Sequence, residues 1–168
     1  KKTKPLIERT LQEMNSSGEL VQVQAGGQNY FALPNALERL NKPLSRRKLT
    51  ILSPFDNLLI QRKRMQTLFD FSYQVECYVP KTKRKNGYFA LPMLWQGQLV
   101  ARMDCKAQRS EALLHIYALT AESSLVITEE FCTALHRAIT VFMRFNHCLR
   151  YQLHRASPAQ LLPLLTRM

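Results

Sequence analysis

The sequence predicts an α+β fold: a helix and a β-ribbon first, then a small antiparallel β-meander or partial barrel, then C-terminal helices. Three patterns carry this expectation. Residues 3–16 place apolar side chains at helical spacing ahead of a glycine turn. Residues 73–120 alternate apolar and polar residues between turn signals. From Phe131 onward, apolar residues recur at steps of four and three.

Taking the elements in order, residues 3–16 read as a helix. Thr3 is suited to cap it, Leu6, Ile7, Leu11 and Met14 form its apolar stripe, and Ser16-Ser17-Gly18 ends it. Residues 20–24 and 29–33 alternate as strands around Gly26-Gly27, a hairpin signal. A basic helix followed by a two-stranded ribbon is the second half of a winged helix, the recognition helix and then the wing. Residues 1–41 are therefore read as that partial unit, with the preceding helices outside this chain. Residues 34–40 form a short helical connector, and Asn41-Lys42-Pro43 is a linker into a second region, 42–168.

In that second region residues 50–52 read as a strand and Ser53-Pro54-Phe55-Asp56 as a turn, with Asp56 accepting from nearby amides. Residues 58–69 read as one helix with Leu58, Leu59, Met65 and Leu68 inward and Arg62-Lys63-Arg64 outward. The meander follows. Residues 73–79 and 88–95 are expected to pair as a β-hairpin around the basic loop at 81–87, which ends in an Asn86-Gly87 turn signal. Pro92 marks the second strand as an edge or as bent there. Gln96-Gly97 turns into residues 98–105, where Ala101, Met103 and Cys105 take one face and Arg102, Asp104 and Lys106 the other, as mutually paired charges. Residues 112–120 complete the meander.

The remainder is mainly helical. Thr128 caps a helix whose start carries Glu129 and Glu130 and whose end carries Arg144 and Arg150. Phe131, Leu135, Ala138, Phe142, Phe145 and Leu149 form its core-facing stripe. Residues 151–154 are read as a last strand. Ser157-Pro158 opens a short helix that Pro163 disturbs.

Composition bounds the function. A chain of 168 residues with 46% hydrophobic and 21% charged residues is globular and large enough for a core. Its formal charge of +12 suits nucleic acid better than an anionic membrane surface. That charge is local: residues 42–85 hold eleven of the 24 basic residues but only three of the 12 acidic ones, Asp56, Asp70 and Glu76. Local charge favours a docking surface. The expected phosphate-facing residues are Lys81, Lys83, Arg84, Lys85 and Asn86 with Tyr88 beside them, then Arg62, Lys63 and Arg64, Arg46 and Arg47, and on the first helix Lys4, in company with Lys1, Lys2 and Arg9. Such contacts release counterions and position a protein without reading sequence.

Catalytic signals are poor. There is no GxSxG, phosphate-binding loop, HExxH or zinc-deaminase signature, and the carboxylates Asp56, Asp70, Glu76 and Asp104 stand singly. Cys77, Cys105, Cys132 and Cys148 form no CxxC pair and read as buried thiols of a reducing cytoplasm. His115, His136, His147 and His154 lack metal-ligand spacing. No cofactor, metal or membrane is expected, and no apolar run approaches the roughly 20 residues of a membrane helix. The expected partner is double-stranded DNA, bound by a monomer.

The central stretch resembles the YcaQ/AlkZ winged-helix DNA glycosylases, the crosslink-repair family. The residues that carry the resemblance are SPFDNLLIQRKRMQTLF from Ser53, YQVECYVPKTKRKNGYFALPML from Tyr73, and QLVARMDCKAQR from Gln98. Two positions depart from the family pattern: Asn57 stands where proline is usual, and Asp70 where glycine often precedes Phe-x-Tyr. The resemblance implies tandem winged-helix units, a β-rich element lining a cationic concave DNA surface, excision of N-alkylated purines and unhooking of interstrand crosslinks, without metal or cofactor. It also places the family's Gln-x-Gln or Gln-x-Asp catalytic motif upstream, near the start of the full-length protein. Gln22-Val23-Gln24 matches that motif by letter alone, because it sits on the wing strand. Starting on Lys1 rather than methionine, the chain reads as part of a longer protein. The alternative is a non-enzymatic winged-helix transcriptional regulator.

Overall fold

A computed structural model describes residues 3–43 and 46–162; the expectations for Lys1, Lys2 and Pro163 fall outside them. The chain divides into two compact units, residues 1–44 and 45–168.

In the first unit, helix α1 (Thr3–Ser16) leads into strands β1 (Val21–Ala25) and β2 (Gln28–Ala32), which pair antiparallel. The two-residue turn needs positive φ at both positions, and Gly26 (53°) and Gly27 (70°) supply it. The α1 stripe is only half realised, because Leu6 and Ile7 are exposed while Leu11 and Met14 are half-buried. One helix and one ribbon offer too little surface to cover a 14-residue stripe within this unit. Pro34 opens the short helix α2 (Pro34–Leu37), where its missing N–H costs nothing, and a single 3₁₀ turn follows at Glu38–Asn41.

The second unit is a curled six-stranded sheet between two layers. Strands β3 (Thr50–Ile51), β4 (Ala90–Trp95), β5 (Gln98–Gln108) and β6 (Leu113–Ala121) run antiparallel in that order. Strands β7 (Arg150–Leu153) and β8 (Ala156–Ser157) both join β6 in parallel. The parallel pairing follows from helix α5 (Glu129–Phe145), which carries the chain back across the sheet before β7 begins. Thr128 caps α5 by accepting from the Phe131 N–H at 3.2 Å, as expected. Against one sheet face α5 buries Phe131, Leu135 and Ile139 onto Met93, Met103, Leu114 and Ile116, with Trp95 edge-on to Phe131 at 6.1 Å. The stripe stops sooner than the sequence suggested. Phe145 and Leu149 are largely exposed, and Arg150 opens β7 rather than closing the helix, because the chain leaves the helix at Asn146 and turns through His147 at φ 59°.

The other face is covered by helices α3 (Asn57–Ile60) and α4 (Arg62–Phe69) and by the segment 70–89. Their core is Leu52, Leu59, Met65, Phe71, Tyr73 and Leu99. One helix was expected here, but the chain breaks at Gln61, whose extended backbone starts α4. Leu59 and Met65 are buried as expected, whereas Leu68 is exposed. Asp56 does cap α3, accepting from Leu58 N–H at 2.8 Å.

The largest departure is at residues 73–79, which form no strand. Tyr73 is buried, Val75, Cys77 and Val79 are half-buried and Gln74 and Tyr78 are exposed, but Glu76 is buried too, which breaks the alternation of an extended segment that joins no ladder. The basic loop is therefore not the tip of a β-hairpin. Pro92 sits inside β4 with its carbonyl accepting from Leu52 N–H at 2.8 Å. Its missing N–H faces the same side, where the two-residue ladder to β3 ends.

Candidate nucleic-acid interface

The loop that carries the charge is fixed from beneath by two carboxylates. Glu76, only 8% exposed, turns one oxygen to three successive backbone donors: Lys85 N–H at 2.9 Å, Asn86 N–H at 2.8 Å and Gly87 N–H at 3.2 Å. Three peptide N–H groups converging on one anion form a nest, here filled by the protein's own carboxylate. Asp104 on β5 accepts from Phe89 N–H at 3.0 Å, and the Tyr73 hydroxyl donates to the Ala90 carbonyl at 2.8 Å. Gly87 at φ 118° lets the chain pass directly over Asp104, where an added Cβ would lie 2.1 Å from a carboxylate oxygen.

With the backbone so held, Lys81 and Lys83 project from one 3₁₀ turn (Lys81–Lys83), and Lys85 follows; all three are exposed. Arg84 behaves differently. It is half-buried, its Nε donates to the Val79 carbonyl at 2.8 Å, and its guanidinium lies 4.8 Å from the Tyr88 ring centre. Arg84 thus ties the loop's two limbs together as well as adding charge. Asn86 is half-buried over Glu76, and Tyr88 is exposed. Tyr78, 92% exposed on the same segment, was missed by sequence reasoning. An aromatic flanked by Cys77 and Val79, both turned partly inward, was the available signal.

The remaining cations lie elsewhere. Arg46 and Arg47 are exposed ahead of β3. Arg62 and Lys63 are exposed on α4, whereas Arg64 is half-buried and donates to the Asn57 carbonyl. Lys4, in the first unit, lies 3.8 Å from Glu8 in a solvated pair. The structure therefore gathers Lys81, Lys83, Arg84, Lys85, Asn86 and Tyr88 into one loop and leaves the others on separate elements.

The expected charge pairing along β5 is replaced by other partners. Arg102 pairs with Glu122 at 2.8 Å and lies 4.1 Å from the Phe71 ring centre, while Asp104 is spent on the loop. Gln22 and Gln24 are exposed on β1. Between β3 and α5 lies an apolar groove of about 830 Å³, which includes Cys105, Phe142 and Phe145. Burial pushes the Cys105 thiol up to about 12, so it is no nucleophile at neutral pH. Among the described residues no cluster of His, Cys, Asp and Glu is placed to hold a metal ion, and no helix is long and apolar enough to cross a membrane.

The family model described as DNA glycosylase AlkZ-like matches residues 2–145. Among solved structures, Streptomyces sahachiroi DNA glycosylase AlkZ superposes with a TM-score of 0.53 at 14% identity, over 90% of this chain. The matched part covers 37% of that protein, so this chain spans well under half its length.

Proposed function

The chain belongs to the AlkZ-like DNA glycosylase family, and on that premise we propose that it is the DNA-binding C-terminal portion of such an enzyme. In this reading residues 1–41 are the recognition helix and wing of a winged helix, and residues 42–168 present the basic loop to duplex DNA. The whole protein excises N-alkylated purines and unhooks interstrand crosslinks, through a Gln-x-Gln or Gln-x-Asp motif upstream of this chain. It acts as a cytoplasmic monomer.

The observation that supports it best is the loop on Glu76. Exposed lysines on an irregular but internally bonded backbone are arranged to meet phosphates at fixed positions, which is what a protein that docks on DNA without reading sequence requires. Arg46, Arg47, Arg62 and Lys63 extend the cationic surface.

The purified chain should bind duplex DNA with no preference among sequences and should release no N7-methylpurine from it. Release at the rate of a full-length relative would place the active site within this chain and overturn the upstream assignment. Strong discrimination of one operator sequence at fixed salt would instead favour a transcriptional regulator.

A further inference from the structure

Outside the basic loop, the sheet carries a second cluster of rings. On the sheet face away from α5, His115 and Tyr117 of β6 meet His154, just after β7. Their ring centres are 5.3 to 5.8 Å apart, and their planes are within 29° of one another. His115 Nδ1 and His154 Nε2 are 3.1 Å apart. With ring centres at 5.3 Å, that contact sets the two imidazoles edge to edge, so they tile a surface rather than cover each other.

The sheet is built to bring these rings together. Between the pairs Asp104↔Ala118 and Cys105↔Ile116, strand β6 carries one extra residue, Tyr117. His115 and Tyr117 stand two residues apart on the strand and so share a face, and the bulge leaves Tyr117 opposite no residue of β5. The imidazoles are oriented as well. The Gln108 amide donates to Glu111, which leaves its oxygen to accept from His115 Nε2 at 3.0 Å. His115 Nδ1 then accepts from His154. The rings are not interior: Tyr117 is 43% exposed and His154 is exposed. Lys106 and Gln152 flank His115 in register, and Arg150 stands one row away; all three are exposed. The surroundings are cationic and polar, and the nearby Glu111 is occupied by Gln108.

An oriented set of near-parallel rings, two of them exposed and flanked by cations, has the chemistry of a base-stacking platform. We propose that the β6–β7 face receives an unpaired nucleobase of bound DNA, stacked on Tyr117 and His154, with Lys106 and Arg150 at the adjoining phosphates. This rests on the DNA-binding reading and adds to it a site for a base that has left the duplex.

The test uses the whole chain with DNA carrying 2-aminopurine, either in a single-base bulge or in a matched duplex, followed by fluorescence and by affinity across a salt series. The wild type should bind the bulged DNA more tightly and alter its fluorescence. Tyr117→Ala and His154→Ala should each weaken bulge binding by about tenfold, and equally at every salt concentration, since stacking releases no counterions. Tyr117→Phe should retain binding. Thermal melts identify any variant that fails to fold, and His154→Ala, at an exposed site beyond the strand, supplies the comparison if Tyr117→Ala does. Equal affinity for bulged and matched DNA, unchanged in both alanine variants, would overturn the platform while leaving duplex binding intact. Absence of binding to either DNA would overturn both readings.

Discussion

The carboxylate of Glu76 accepts the backbone N–H of Asn86 at 2.8 Å, and this contact links a buried charge to the most cationic stretch of the chain. The same oxygen also holds Lys85 and Gly87. Shape in this loop comes from an internal anion, which leaves the lysine side chains free for an external one.

Glu76→Ala leaves three peptide donors without their acceptor. Each unsatisfied buried donor costs about 1–3 kcal/mol, and partial access to water lowers the total to about 2–4 kcal/mol. Glu76→Gln, which keeps an acceptor but loses the charge assistance, should cost about half as much. Urea denaturation measures both. DNA affinity should fall in parallel, although neither variant removes a cation.

Gly87→Ala meets two penalties. The backbone at φ 118° is strained for any residue with a Cβ, and that Cβ would collide with Asp104. A loss of about 2–4 kcal/mol is expected by urea denaturation. Adding Asp104→Ala should recover only part of it, since the Cβ at position 104 is also in the way and the φ strain remains. Full recovery would show that the collision with the carboxylate alone matters.

The same residues show what a sequence reading reaches and where it stops. Asp56, Thr128 and the Gly26-Gly27 turn were legible because caps and tight turns are set by a few neighbouring residues. The family departures also have local explanations. Asp70 takes φ 47° at the end of α4, where glycine is easiest, with its carboxylate accepting from Gln66 at 2.7 Å. Asn57 occupies the first position of α3, where proline is well suited. The 73–79 segment misled because a period-two apolar pattern looks the same whether or not a strand partner exists. In the sequence Glu76 and Asp104 stand as single carboxylates, since their partners are backbone donors up to fifteen residues away. His115 and Tyr117 share a face by strand alternation, but bringing His154 beside them depends on a parallel crossover, which leaves no local signature.

Alkaline pH should destabilise the fold. Burial raises Cys105 from 9.0 to about 12 and Tyr73 from 10.0 to about 12, the latter despite the opposing pull of Arg102. In the unfolded chain both ionise at their ordinary values. Their contribution is therefore complete below pH 9 and is lost as pH rises towards 12. Melting temperature should decline from about pH 9 upward, with a shallower decline in Cys105→Ala. At pH 8 the Cys105 thiol should react with iodoacetamide far more slowly in the folded protein than in urea.

The central claim is that the Glu76-anchored loop docks on duplex DNA through its lysines. The most direct measurement is the salt dependence of duplex affinity for the wild type and for the combined Lys81→Ala, Lys83→Ala and Lys85→Ala variant. Arg84 stays in place because it also holds the Val79 carbonyl. Each phosphate contact contributes about 0.9 to the slope of log affinity against log salt, so the triple variant should show a slope shallower by about two to three. An unchanged slope, with the fold intact, would contradict the account.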